Sequence, residues 1–259
     1  MTTQIDTKQI KILHTGRLKK NGATCHLAAL DAGHIGQILA LEDAAFKVLG
    51  ADERHYLLRK DAAFFARHFA AGGTVLGIVA VSADGSAQLV AQSIVINPTA
   101  ARPETGMTDM AVAVAPEKLT VLEGVIVDPA WRGNGLMDAM VMHWLAQAGK
   151  NGRTHALAEV AVENAYSWSV FLKEGLHIES LGVDPADQSV LYNMHGHIPD
   201  LKAAFNESAK KKSAVPAADL ARQKELLAQG WKGVAFDRAA GTLAFARPKK
   251  KACGGFAPH

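Results

Sequence analysis

The residues of this chain best suited to chemistry lie between Val125 and Asp138. Val125-Ile126-Val127 is an apolar run, Asp128-Pro129 ends it, and Arg132-Gly133-Asn134-Gly135 leads into Leu136, where an amphipathic stretch begins. Glycine accepts backbone angles and close approaches that a Cβ forbids, so Gly133 and Gly135 let successive N–H groups point outward at one anion. A helix opening after Gly135 adds its own unpaired N–H groups and the positive end of its dipole. Arg132 adds a fixed cation. The pattern predicts a phosphate cradle running from Gly133 through Asn134, Gly135, Leu136 and Met137 to Asp138.

A second constellation follows. Glu159-Val160-Ala161-Val162 reads as a strand, Asn164 as a cap, Ala165 to Glu174 as a helix and Gly175-Leu176 as its glycine stop. Together, and in this order, the two stretches resemble motifs A and B of the GNAT superfamily of acyl-coenzyme A-dependent N-acyltransferases. Arg132 and Gly135 match motif A, with Met137 where Gly or Ala is usual. Asn164, Ser167, Val170-Phe171 and Gly175-Leu176 match motif B, with Phe171 where the family carries Tyr.

The resemblance implies an α/β (α+β) fold, a mixed central sheet flanked by helices, and an N-acetyltransferase that moves an acetyl group from acetyl-CoA to an amine. The cradle would hold the pyrophosphate, with Asn164 and Phe171 beside the cofactor. The pantetheine arm would run along Val125, Ile126 and Val127, where a backbone N–H polarises the thioester carbonyl. An attacking amine must lose a proton, so a carboxylate is wanted near the acyl end. Glu159 stands where some members carry that base, and Glu123 is the other candidate, on the central strand. Phe171 cannot donate a proton to the departing thiolate, which leaves Tyr192 or Tyr166 for that role. The same departures, Phe171 and Met137, suggest the rival reading of a catalytically weakened acyl-CoA-binding or regulatory module. A dinucleotide-dependent oxidoreductase does not fit, because Arg-Gly-Asn-Gly is not Gly-x-Gly-x-x-Gly and no acidic residue follows at the ribose-binding distance.

These residues need elements to position them. Strands are expected at 24–30, 74–81, 87–96, 118–127, 177–183 and 189–195, with Ser82 to Ser86 as a hairpin turn. Helices are expected at 35–49, 52–69, 135–148 and 165–174. Asn97 to Pro116 holds three prolines and no sustained periodicity, which predicts a long loop bordering the substrate site. The family-like domain spans 24–197, after an N-terminal segment 1–23. A C-terminal extension, 198–259, is expected to contain helices at 198–212 and 216–229, a hairpin at 233–246 and a basic tail at Lys249-Lys250-Lys251. Its apolar residues Leu220, Leu226, Leu227, Trp231 and Phe236 must be covered, by its own core or by a second subunit in a homodimer. No internal repeat is evident.

Composition bounds the rest. With 259 residues, 49% of them hydrophobic, the chain can bury a large core. A net charge of +3 is too small to signal nucleic acid, and the basic clusters are local. No apolar run is long enough to span a bilayer, and the N-terminus lacks the order of a signal peptide, so a cytoplasmic protein with Cys25 and Cys253 reduced is expected. The pair His195 and His197 has no third ligand at recognisable spacing, so no metal is expected.

Overall fold

The computed structural model describes residues 3–103, 105, 113–185, 187–201 and 213–248. One sheet of eleven strands runs through them in the order β1-β2-β3-β4-β5-β6-β8-β7-β10-β11-β9. Its strands are β1 (Lys11–Arg17), β2 (Thr24–Leu30), β3 (Thr74–Val81), β4 (Ala87–Ile96), β5 (Leu119–Val127), β6 (His155–Ala161), β7 (His177–Val183), β8 (Val190–His197), β9 (Ser213–Pro216), β10 (Lys232–Asp237) and β11 (Thr242–Ala246). Every pairing is antiparallel except β5 with β6.

Helices cover both faces. α1 (Ile35–Lys47) and α2 (Ala62–Ala70) press Ile38, Leu41, Ala45 and Phe65 onto Leu30, Val75, Val79, Leu89 and Ile94. α3 (Leu136–Lys150), α4 (Ala165–Lys173) and α5 (Leu220–Ala228) bury Met140, Trp144, Trp168, Phe171 and Leu226 against the opposite face. The alternation of strands such as β3 and β4 is hidden in the sequence because both their faces are covered, which makes them near-continuous apolar runs.

The expected helix at 52–69 is corrected to a 3-10 turn, Ala51–Tyr56, followed by α2. The break has a cause: the Lys60 N–H donates to Glu42, and the Asp61 side chain caps α2 by accepting from the Phe64 N–H at 2.7 Å. The segment 1–23 also holds structure that its sequence did not announce. Lys11–Arg17 forms β1 against β2, and the Ile5 N–H donates to Ala87 at 3.0 Å. Of the expected helix at 198–212, Ile198–Asp200 forms a 3-10 turn and 202–212 lies outside the described residues, as does the basic tail. Pro216 ends β9 instead of opening a helix, and Asp219 caps α5.

The extension reproduces β6-α4-β7-β8 as β9-α5-β10-β11. Asn164 and Asp219 each cap a nine-residue helix by accepting from the backbone N–H three residues on. Each helix ends on a glycine of positive φ, Gly175 at 99° and Gly230 at 80°. Matching bonds close the ends: Leu176 N–H to Phe171 at 3.0 Å, Trp231 N–H to Leu226 at 3.0 Å. Each hairpin then bulges at the same place, after Ile178 and after Gly233. Those two residues pair with each other, so the two units meet about a local pseudo-twofold. A Cβ on Gly233 would stand 2.8 Å from Ile178 Cδ1, which is why a glycine occupies that crossing. The absence of a repeat, read from sequence, is thereby corrected.

Candidate active site

The register of the one parallel pair makes the site. β5 and β6 pair only at Leu119–Val121 with His155–Leu157. Beyond that point each strand keeps its other neighbour: β5 pairs with β4 to Val127, and β6 with β8 to Ala161. The two strands therefore splay, and Val125, Ile126 and Val127 face the opening with backbone groups unused by any β6 ladder.

The cradle closes the end of β5. Asp128 accepts from the Ala130 N–H at 2.9 Å, turning the chain at Pro129–Trp131. Gly133 and Gly135 then take φ of 79° and 72°, the left-handed conformation a side chain strains to adopt, and α3 begins at Leu136. Arg132 is exposed beside them. Asn134 is buried and its side chain is spent internally: Nδ2 donates to the Trp131 carbonyl at 2.9 Å, and Oδ1 accepts from the Lys20 N–H at 3.0 Å. Leu136 is buried in the core and Met137 packs partly against it. Asp138, in the first turn of α3, is held in an ion pair by Lys173 of α4.

Sequence reasoning missed Lys19 and Lys20, which sit in the turn between β1 and β2, far from the cradle along the chain. A Cβ placed on Gly135 would lie 2.8 Å from the Lys19 ammonium, and one on Gly133 would lie 2.9 Å from that of Lys20. Lys20 Nζ also donates to the Arg132 carbonyl at 2.6 Å. No motif spacing could have signalled them, because tertiary pairing of β1 with β2 brings them there.

The two candidate carboxylates flank the mouth of the splay. Glu123 and Glu159 each lie two residues beyond the last paired residues, Val121 and Leu157. Glu123 is also the bulged residue of β5, between Leu122 and Gly124 in the pairing with β4. One of its oxygens is 2.5 Å from Lys60 Nζ. The other, Oε2, is buried with no hydrogen-bond partner. Behind this pair, Glu42 of α1 is buried, accepts from Gln92 at 3.3 Å, and has its carboxyl pushed up by burial. Glu159 is partly buried opposite Asn193 of β8.

Tyr192 requires a correction. It is fully buried on the α4 side, edge-on to Trp168, and its hydroxyl donates to Gln223 Oε1 of α5 at 2.7 Å. Burial pushes its pKa up to about 12, and its one proton is engaged by Gln223 on the side of α5. Tyr166 is 77% exposed, with the Arg238 guanidinium over its ring. Phe171 packs edge-on to Trp144 in the core, and Asn164 accepts from the Ser167 N–H as the cap of α4. The ends of the long 97–118 segment are gathered by Arg153, whose guanidinium donates to the carbonyls of Pro98, Pro116 and Leu119. Its centre lies largely outside the described residues.

His195 is drawn to His177 and Glu179, not into a site with His197. These three offer ligand atoms within 4.8 Å of one another. Lys232 is ion-paired to Glu179, so the carboxylate already has a cation. Burial works upward on Glu179, but hydrogen bonds from His177, His195 and Lys232 outweigh it and hold the carboxyl well below its usual range. Among the described residues, no helix is long and apolar enough to cross a membrane.

A sequence model of the acetyltransferase (GNAT) family matches residues 35–176, more than half of the chain. Among solved structures, a protein assigned as an acetyltransferase from Acinetobacter baylyi ADP1 is similar at 15% identity and a TM-score of 0.51, over 70% of this chain and 96% of that one. A GNAT-family acetyltransferase from Listeria monocytogenes matches at 12% identity and 0.51, over 71% and 99%. The yncA protein of Salmonella typhimurium, assigned as an acetyltransferase and solved with its cofactor acetyl-CoA, matches at 17% identity and 0.49, over 67% and 94%. At such identities the likeness is one of fold. No curated protein matches the chain by sequence.

Proposed function

The chain belongs to the GNAT acetyltransferase family, and on that premise we propose that it transfers an acetyl group from acetyl-CoA to an amine at the β5–β6 splay. The observation that carries the reading is the conjunction of a two-glycine cradle with an open strand edge that ends on it. Gly133 and Gly135 leave room that a Cβ would fill, and their N–H groups with those of the first turn of α3 suit a pyrophosphate. The edge of Val125 to Val127 suits the amide groups of a pantetheine arm, and an N–H there would draw charge from a thioester carbonyl. Acetyl-CoA supplies an activated acyl group whose thiolate is a tolerable leaving group.

For the amine, Glu123 is the better-placed proton acceptor. Its Oε2 is buried without a donor, and a carboxylate oxygen in that state gains most from an incoming N–H. Lys60 fixes the other oxygen and so orients the group. Glu159, on the opposite lip, is the second candidate and is set to position the acceptor. With Phe171 in the core and the Tyr192 hydroxyl committed to Gln223, the thiolate departs without a tyrosine acid. A thiol pKa of about 8.5 makes that tolerable near neutral pH.

The test is calorimetric titration with coenzyme A, followed by acetyl-CoA turnover across a panel of amines. Gly135→Val should abolish binding while the variant stays folded. Glu123→Gln should lower turnover roughly 10²-fold with binding intact, the size of a lost general base. A ranking in which Glu159→Gln costs more would transfer the role, and full coenzyme A affinity in folded Gly135→Val would remove the cradle from the site. Binding without turnover on every amine would instead favour the acyl-CoA-binding module, for which the buried Phe171 is the specific support.

A further inference from the structure

The turn between β1 and β2 is fastened to the cradle by its backbone and by Lys20 Nζ, which donates to the Arg132 carbonyl, while the Lys19 ammonium has no hydrogen bond among the described residues. Leu18 is 2% exposed and anchors the turn in the core. The Lys20 N–H is held by Asn134 Oδ1 at 3.0 Å, and Asn134 is itself tied to Trp131 at 2.9 Å. The main chain at Lys19 and Lys20 thus has a fixed place above the glycines, yet both residues are exposed. Among the described residues neither ammonium has an acidic partner, and the nearest acid of α3, Asp138, is taken by Lys173. The positive end of α3, which opens at Gly135, lies at the same spot. Two ammonium groups and a helix N-terminus therefore converge with no acidic partner among the described residues, an arrangement that repels itself until an anion is present.

We infer that Lys19 and Lys20 are phosphate ligands, carried to the cradle by the N-terminal hairpin, which pair with the phosphate oxygens of coenzyme A as these displace the two ammonium groups from above Gly135 and Gly133. The inference rests on the acyl-CoA reading of the site and adds to it a binding element from outside the matched residues 35–176. No bond is made or broken; a phosphate exchanges its water for two charge-assisted hydrogen bonds.

Coenzyme A and pantetheine, which lacks the nucleotide phosphates, are the two probes. Each is titrated into the full chain and into Lys19→Ala, Lys20→Ala, the double variant and a control, Lys224→Ala, at low and moderate salt. Each single variant should weaken coenzyme A binding roughly 10- to 150-fold, the range for losing one charge-assisted hydrogen bond, and leave pantetheine unaffected. The salt dependence of coenzyme A affinity should flatten in the double variant, and Lys224→Ala should match the parent. Lys19 carries the decisive arm, because its side chain makes no hydrogen bond within the described protein, whereas Lys20→Ala also removes the bond to Arg132; Lys20→Arg should restore binding. Parent protein that binds coenzyme A beside a folded Lys19→Ala with unchanged affinity and salt slope would overturn the inference and leave the acyl-CoA reading standing. Parent protein that binds no coenzyme A would overturn both.

Discussion

Replacing Tyr192 by Phe separates a structural hydroxyl from a catalytic one. The hydroxyl donates to Gln223 Oε1 at 2.7 Å, and Gln223 is fully buried, with Nε2 committed to the carbonyls of Pro216 and Ala217 at 3.2 and 2.8 Å. Phenylalanine leaves no donor for Oε1, and water cannot reach it. The cost is that of one orphaned buried acceptor, about 1–3 kcal/mol. At roughly 2–4 °C per kcal/mol for a chain of this size, Tm should fall by about 2–12 °C. Gln223→Ala removes the partner of the tyrosine hydroxyl and of the Ala217 carbonyl at once, while Pro216 keeps the Asp219 N–H, so Tm should fall further. Calorimetry supplies Tm, and release of free thiol from acetyl-CoA in the presence of a productive amine supplies turnover. Turnover of Tyr192→Phe, measured well below its Tm, should stay within about twofold of the parent, less than the loss expected for a general acid. A variant with an unchanged Tm and turnover reduced a hundredfold would refute the reasoning and return Tyr192 to the chemistry.

Two further outcomes follow from the C-terminal half. Glu179 is held ionised below its usual range by His177, His195 and Lys232, so its stabilising contribution is present above its unfolded pKa of about 4.3 and is lost as the pH falls further. The stability gap between the parent and Glu179→Gln, measured by denaturant unfolding, should shrink as the pH falls below about 4.3; a gap that goes on widening in that range would contradict the assigned contacts. Ending the chain at Leu201 removes Val215, Leu226, Leu243 and Phe245 from the core, and light scattering should then show association with a lowered Tm, whereas a monomer of unchanged Tm would show the extension to be dispensable.

What the sequence revealed and what it hid have separate physical causes. The cradle was legible because Gly133 and Gly135 are needed for backbone conformation, and such needs leave a residue type at a fixed position. The helices α3 and α4 were legible through their periodicity and caps. Glu123 and Glu159 could be named as strand carboxylates, but their placement on the two lips depends on where β5 and β6 stop pairing, a register that no single strand encodes. Lys19 and Lys20 were invisible because exposed lysines in a turn look alike wherever the turn lands. Tyr192 was misassigned because its partner, Gln223, belongs to a unit whose docking face cannot be read from composition.

The internal repeat shows why that unit docks where it does. A sheet ending at β7 would present a bare row of N–H and C=O groups beside the large side chains of Trp168 and Tyr192, an edge prone to pairing with another chain. The extension meets it with a second copy of the same helix-and-hairpin unit, turned about the Ile178–Gly233 contact so that β10 continues from β7. The Phe236 ring of that copy packs with its centroid 4.5 Å from that of Trp168 and Gln223 accepts the hydrogen bond of the Tyr192 hydroxyl, so both the apolar and the polar demands of the face are met within one chain. The two copies share few side chains beyond a capping Asn or Asp and a glycine stop. Those are the positions at which backbone geometry, and not packing volume, dictates the residue. The opposite lip of the sheet is closed by β1 in the same manner, and there the closing hairpin carries Lys19 and Lys20 to the cradle. Both additions thus cover an edge of the family core, and the N-terminal one brings charge to the site while doing so.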